Sequence, residues 1–312
     1  MAGPASKPGL ILNGEAVSGN SELREELLAA GVEVVFRAID ELAVDIGPRG
    51  VRIRETVEGR DLADFRFVQV LTYQRPTATL LNAVADYLAT KAVYACNTAG
   101  VAAPTKLFKY VRLANRGLSV PSTVYLPPQL LADAYRDLAT QLELPFVMKT
   151  VTGGRGRMTH IVGSEDAFVE RLRDREHARV GFLVQELVPP DGSYFVLVLG
   201  GHVSLAMRCR DGGVGDLLAR SGWDEADLVD IRRLDQGARE TAVQAAAAMD
   251  YDIAGVHLVR HWTTGNWRVL DVNPTPPLAS GGHITDKVGA YAEYLKRQFA
   301  NPEQAVGNAR RR

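Results

Sequence analysis

The chain has 312 residues, 46% hydrophobic and 23% charged, with 36 Lys and Arg against 37 Asp and Glu. That balance gives no footing for a nucleic-acid or membrane-surface partner, and no stretch approaches the apolar length needed to span a bilayer. Cys96 and Cys209 are the only cysteines, a poor basis for a disulfide framework or a metal cluster. With MAGPASKPG at the N-terminus lacking an apolar signal core, they predict a reducing, cytosolic setting. The length suits a large core split into two or three lobes, and no internal repeat is present.

Gly9 to Gly14 reads as a strand ending on Asn-Gly, followed by a helix capped by Ser21, with leucines at 23, 27 and 28 on one face and a stop at Gly31. Val32 to Ile39 is the next strand. A hairpin around Pro48-Arg49-Gly50 precedes a strand at Phe65 to Leu71, a helix from about Thr77 to Thr90 and a strand at Ala92 to Asn97. Strands alternating with helices predict a small α/β layer with a largely parallel sheet. No G-x-G-x-x-G is present, so this region reads as scaffold and substrate wall.

The character changes near Gly100. Pro104-Thr105-Lys106 opens a helix running through Leu113 to Gly117, on which Lys106 and Lys109, taken singly, read as solvated charges. A strand at Ser122 to Leu126 and a helix at Gln129 to Leu142 follow. The apolar run Phe146-Val147-Met148 then delivers Lys149 into a loop with glycines at 153, 154 and 156. Glycines let backbone N–H groups close around phosphate oxygens, and a lysine on the adjoining strand supplies a point charge. The same residues also suit a plain hairpin turn with a surface lysine, and the order is not that of a Walker A loop. Met158 to Val162 is a strand and Glu165 to Arg173 a helix.

Phe182 to Val188 is a strand, and Ser193 to Leu199 with His202 to Arg210 reads as a long antiparallel hairpin. A glycine-rich, acidic insert, Asp211 to Asp235, reads as a mobile surface loop. A helix begins near Gln236, and strands at Ile253 to His261 and Trp267 to Val272 close the pattern. The second carries Asp271-Val272-Asn273 into Pro274-Thr275-Pro276-Pro277. Residues two apart on a strand share a face, so a carboxylate and an amide there can meet one hard cation, although a strand-end Asx turn has the same sequence.

In order and spacing, Lys106, Lys149 with its glycines, Gln185-Glu186-Leu187-Val188, the AMRCR strand and Asp271-Val272-Asn273-Pro274 resemble the ATP-grasp superfamily, and within it the RimK-like carboxylate–amine ligases. Lys106 stands ahead of Gly117 and Pro121 as the family's helix lysine does. Lys149 is followed by Gly153 and Gly156, and Asp271, Asn273 and Pro276 match the family's acid-x-Asn-x-x-Pro. The resemblance implies an α/β fold with an N-terminal pre-ATP-grasp domain over residues 1–100. A small lobe at 101–188, a C-terminal lobe at 189–305 and a basic tail at 306–312 would follow.

The resemblance further implies that ATP is clasped between the two grasp lobes. Lys106 and Lys149 would contact its phosphates, and Gly153, Gly154 and Gly156 would close over them. The backbone from Gln185 and Glu186 to Leu187 and Val188 would meet the adenine edge, with Met207 as an apolar wall. Asp271, Asn273 and His257 would hold Mg2+, or Mn2+. Arg210 would be the catalytic charge beside an acyl phosphate, with Arg208 the alternative. The implied activity is ATP-dependent amide formation from a carboxylate and an amine, the substrates being an amino acid or peptide, with a homodimer through the first lobe. An enzyme cross-linking a precursor peptide and an inactive nucleotide-binding module are the alternatives.

The pattern breaks at named positions. The family's Gly-Val-Asp reads Gly255-Val256-His257, and imidazole suits manganese better than magnesium. Its Asp-x-Arg reads Ser193-Tyr194-Phe195, the asparagine expected after Gly215-Asp216 is missing with Arg220 as its candidate replacement, and Met158 occupies the place of the last loop glycine.

Overall fold

The apolar run Gly9–Asn13 (β1) pairs in parallel with Val34–Ala38 (β2) on one side and Phe67–Val70 (β5) on the other; Tyr94–Cys96 (β6) completes a parallel sheet in the order β2-β1-β5-β6. This computed structural model describes residues 7–13, 21–48, 50–71, 78–91, 93–97, 105–152, 159–173, 181–188, 190–209, 226–261, 263–279 and 281–300. Between β2 and β5, Leu42–Gly47 (β3) and Gly50–Glu55 (β4) form the expected hairpin. Ser21–Ala29 (α1) and Ala78–Ala89 (α2) flank the sheet. Alternation puts Leu10, Leu12, Val68 and Val70 on one face with Leu81, Val84 and Leu88 of α2, and Ile11, Phe67 and Cys96 on the other.

The second sheet is antiparallel, in the order β7-β10-β8-β9, from Thr123–Tyr125 (β7), Phe146–Thr150 (β8), Thr159–Val162 (β9) and Phe182–Glu186 (β10). The single helix expected over 129–142 is two: Pro128–Leu131 (α4) and Tyr135–Leu142 (α5), with the chain turning at Ala134. Leu131, Leu138 and Leu142 from these, and Phe168 from Glu165–Arg173 (α6), cover Phe146, Met148, Phe182 and Val184. The opposite face of β8 and β10, with Lys149, Leu183 and Gln185, is left toward Lys106–Asn115 (α3), whose Thr105 cap accepts the Phe108 N–H.

The third sheet follows the order β13-β12-β11-β14-β15 and is antiparallel throughout. Its strands are Pro190–Leu199 (β11), His202–Arg208 (β12), Asp227–Val229 (β13), Ile253–His261 (β14) and Trp267–Asn273 (β15). The end of the insert read as a mobile loop is therefore a sheet edge. Gln236–Ala248 (α7) presents Ala238, Ala242, Ala245 and Ala246 to one face, where small residues let the helix lie close over Val196, Val198, Val256 and Val272.

Ile284–Ala300 (α8) was not among the expected elements, although Val288, Tyr291, Ala292 and Leu295 repeat at helical spacing and are all buried. It joins the first sheet to the third in one core that includes Ile11, Phe67, Leu197 and Met207. Asn97, just past β6 at φ 55°, adds a polar tie. Its amide donates to the Ile253 and Pro274 carbonyls at 2.8 and 2.7 Å and accepts the Ile253 N–H at 3.0 Å. Among the described residues no helix is long and apolar enough to cross a membrane.

Candidate functional site

Register, not proximity in sequence, assembles the site. Met207 pairs with Phe195, Phe195 with His257 and His257 with Asp271, so four strands deliver one side chain each to a single row. The next row contains Gly255 opposite Asn273. All lie on the sheet face away from α7. The sequence expectation that Asp271 and Asn273 share a face agrees with this register.

Helix α3 lies along the free edge of β15 and carries the second half of the site. The Lys109 ammonium is ion-paired with Asp271 and donates to the Val272 carbonyl at 3.1 Å. The Tyr110 hydroxyl donates to the Leu270 carbonyl at 2.7 Å, and Arg112 is ion-paired with Asp250. One turn earlier, the Lys106 ammonium donates to the Thr150 carbonyl at 3.1 Å. Lys149 comes from β8 of the second sheet, is only 9% exposed, and donates to Gln185 Oε1 at 2.6 Å. The Gln185 amide N–H2 donates in turn to Thr123 Oγ at 2.8 Å, which fixes which end of the amide faces the lysine.

Three lysines from two elements thus converge on one carboxylate. Burial pushes both Lys106 and Lys149 down to about 8; Asp271 opposes the shift, and Lys109 reinforces it. Burial works to raise the Asp271 carboxyl, but Lys109 and Lys106 outweigh it and hold it below the usual carboxylate range. The cluster has more positive than negative charge and lies between two sheets. An excess of partly desolvated ammonium groups is what a polyanion such as a triphosphate would neutralise.

Three of the residues that break the family pattern, Ser193, Phe195 and His257, form one cluster; Met158, Gly215, Asp216 and Arg220 lie outside the described residues. Ser193 Oγ lies 2.7 Å from His257 Nε2. Phe195 packs across Gly255, where any side chain would meet its ring at 2.6 Å. The serine, phenylalanine and histidine standing where the resemblance led us to expect two acids and an arginine are therefore mutual neighbours that replace charge with compact neutral packing. Burial drives His257 down to about 4, Asp271 opposing and Lys149 assisting, so the imidazole is neutral at physiological pH.

The remaining sequence candidates are placed as follows. The Glu186 carboxylate is ion-paired with Arg268 on β15, a second tie between the sheets, and the Glu186 N–H donates to the Ser122 carbonyl at 2.9 Å. That N–H is not open to a ligand edge. Leu187 and Val188 follow the end of β10, and Val188 is buried. Met207 is packed in the core with Leu205 and Phe195. Arg208, the alternative charge beside an acyl phosphate, pairs with Tyr194 on the α7 side of the sheet and so faces away from Asp271. Gly153, Gly154, Gly156 and Arg210 lie outside the described residues, as does the 306–312 tail.

As a divalent-cation site the donors fit in part. Asp271 offers a hard carboxylate that is 45% exposed to the cleft. The Asn273 side-chain oxygen already accepts the Thr275 N–H at 2.9 Å and hydroxyl at 3.1 Å, the Asx turn that the sequence also allowed. His257 supplies a neutral ring held by Ser193. Among the described residues no group of three or more His, Cys, Asp or Glu gathers as a metal cluster.

Lys109, a solvated charge when taken singly, is a functional candidate by its pairing with Asp271. Its signal was present: three positions after Lys106, it had to share that lysine's helix face.

Two sheets closing on a cationic cleft, with a lysine on a buried strand and an acid-x-Asn at the end of another, define an ATP-grasp fold. Residues 109–289, more than half of the chain, match the RimK-like ATP-grasp domain, and the chain belongs to that family. A probable alpha-L-glutamate ligase 2 of Hahella chejuensis is 28% identical over 201 residues, 63% of this chain; the chain spans 64% of that relative's length. A probable alpha-L-glutamate ligase of Aliivibrio fischeri is 24% identical over 301 residues, 94% of this chain and 96% of that protein. In fold, the chain is similar to the ATP-grasp ligase PsnB complexed with precursor peptide PsnA2 and AMPPNP. The TM-score is 0.69 at 18% identity, over 96% of this chain and 99% of that one.

Proposed function

We propose that the chain is an ATP-dependent carboxylate–amine ligase. The observation that carries this reading is the excess of lysine charge around Asp271, between the two sheets that the family uses to hold a nucleotide. Bound ATP with Mg2+, or Mn2+, supplies a phosphoryl group that activates a carboxylate for attack by an amine. The chain's own part is to hold charge in place. Lys149 and Lys106 neutralise phosphate oxygens, Gln185 keeps the Lys149 ammonium aimed into the cleft, and Asp271 is the first oxygen ligand for a divalent ion. With the Glu186 N–H committed to Ser122, an adenine edge falls to the backbone at Leu187 and Val188. Gly153, Gly154, Gly156 and Arg210 keep the roles that the resemblance implies.

The division at residues 100 and 188 belongs to this proposal and is supported by strand pairing, none of which crosses either boundary among the described residues. So do action in a reducing cytoplasm, which suits two buried free thiols, and a dimer through the first lobe. The named ligase relatives favour an amino acid as one substrate. A second reading, modification of a precursor peptide, is favoured by the end-to-end similarity in fold to PsnB, a protein solved with such a peptide.

Calorimetry with ATP, first with Mg2+ and then with Mn2+, on the wild type and on Lys149→Ala, tests the proposal. Binding lost in the variant supports the cleft, and ADP release with amino acids or with a precursor peptide separates the two readings. Absence of nucleotide binding with either metal would sink both. Binding without ADP release on any such pool would leave an inactive nucleotide-binding module.

A further inference from the structure

Lys109 is already engaged at the group that a metal would need. Its ammonium is ion-paired with Asp271 and bonded to the Val272 carbonyl, and its side chain is 14% exposed. The next residues of α3 hold it there: Tyr110 is bonded to Leu270 on the same strand as Asp271, and Arg112 is paired with Asp250. A lysine anchored in this way is part of the site's architecture rather than a loose surface contact.

The same carboxylate is the one the proposed function offers to a divalent cation. Two cations at one carboxylate repel each other, and the surroundings give little relief. His257, opposite Asp271 in the sheet, carries no negative charge, and the Asn273 oxygen is held by Thr275. A divalent ion arriving alone therefore has to displace an ammonium. A divalent ion arriving with a polyphosphate brings the anion that can receive that ammonium.

We infer that Lys109 is a resident counter-ion that exchanges at Asp271, its ammonium passing from the carboxylate to phosphate oxygens as a divalent ion takes its place beside a bound nucleotide. No bond forms or breaks; one cation replaces another at Asp271, and the displaced charge stays within the cleft. The inference rests on the nucleotide reading above. It adds an order of events: metal and nucleotide bind together, and metal alone binds weakly.

The test titrates Mn2+ alone, by the electron paramagnetic resonance of the free ion, and ADP alone without metal, by calorimetry. Both are measured on the wild type, Lys109→Met and Lys109→Arg. In Lys109→Met, Mn2+ binds about tenfold more tightly or better, while metal-free ADP binds about tenfold more weakly. Lys109→Arg, which keeps the charge, stays near the wild type in both. Opposite changes in one variant cannot come from a general loss of structure, which weakens both. Equal Mn2+ affinity in the wild type and Lys109→Met, or Lys109→Arg behaving like Lys109→Met, overturns the exchange. If Lys109→Met does not fold, Lys109→Gln carries the same comparison. Failure of the nucleotide reading shows separately, as a wild type that binds neither ATP with metal nor ADP, and it removes the exchange with it.

Discussion

The carboxylates of Glu55 and Asp271 are both ion-paired, and they are satisfied in opposite ways. Glu55, at the end of β4, is fully buried and saturated. It accepts from Arg37 at 2.8 Å and from the backbone N–H groups of Val57, Glu58 and Arg60, the last at 2.8 Å. Burial alone would raise its pKa, yet these donors hold it down to about 2. Asp271 sits among three lysines, two of them with their charged forms disfavoured. One carboxylate closes a turn and asks for nothing further. The other leaves positive charge in excess, and that excess is what makes its cleft a binding site rather than a structural clasp.

The comparison can be broken at Glu55 first. Glu55→Gln turns an N–H2 toward backbone donors that need an acceptor, so the fold should lose about 3 kcal/mol, read by denaturant unfolding, with nucleotide affinity unchanged. The sign of its pH dependence is fixed by the lowered pKa. The contribution is fully present above the unfolded value of 4.5 and drains away as pH falls toward about 2. An acid-unfolding profile that is the same in wild type and variant would contradict the assignment.

Lys149→Met should do the reverse. Removing a buried charge that is bonded to a neutral amide and shares Asp271 with two other lysines leaves the nucleotide-free fold as stable as before or more so, while nucleotide binding weakens about a hundredfold. A variant that instead unfolds easily would make Lys149 a structural residue. The same charge gives a smaller, graded effect with pH. Because burial brings Lys149 and Lys106 down to about 8 in the folded protein from 10.5, they have lost about half their charge by pH 8 and lose most of the rest by about pH 9. Nucleotide affinity should fall about tenfold between pH 7.5 and 9. In the nucleotide-free protein the unfolded chain binds more protons between pH 8 and 10.5. Stability therefore rises with pH across that window, and Lys149→Met should flatten the rise.

The parts of this contrast differ in how far sequence reveals them. Lys149 and Asp271 are legible because each ends an apolar strand at a spacing that fixes its direction, and family order then ties them together. The parallel first sheet is legible from its strand–helix alternation. The partnership of Ser193 with His257 is not, since the two are joined only by the register of β11 against β14, a long-range pairing that no local pattern encodes. Lys109 taken alone reads as a solvated charge, as single lysines usually are; only the placement of α3 along the edge of β15 turns it toward Asp271. The helix Ile284–Ala300 had a visible apolar stripe, and its role in joining two sheets could not be read without knowing what covered that stripe.

The smallest expected effect isolates the placement of α3 from the charge it carries. Tyr110→Phe keeps the ring packed beside Val151 and Leu183 and removes the hydroxyl's bonds to the Leu270 carbonyl and to the Gln185 side chain. The cost should be about 1 kcal/mol in stability, with a few-fold loss in nucleotide affinity, because the helix that holds Lys106 and Lys109 stays seated through the Arg112 pair with Asp250. Lys109 faces a carboxylate while Tyr110 faces a neutral carbonyl, so only the first should change how Mn2+ binds alone. If Tyr110→Phe tightened Mn2+ as Lys109→Met is expected to, a slight shift of the helix would explain both results, and the charge at Asp271 would lose its claim to be the cause. If it left Mn2+ unchanged, position and charge would be separated within one turn of α3. The cleft's deficit of negative charge could then be assigned to its lysines alone.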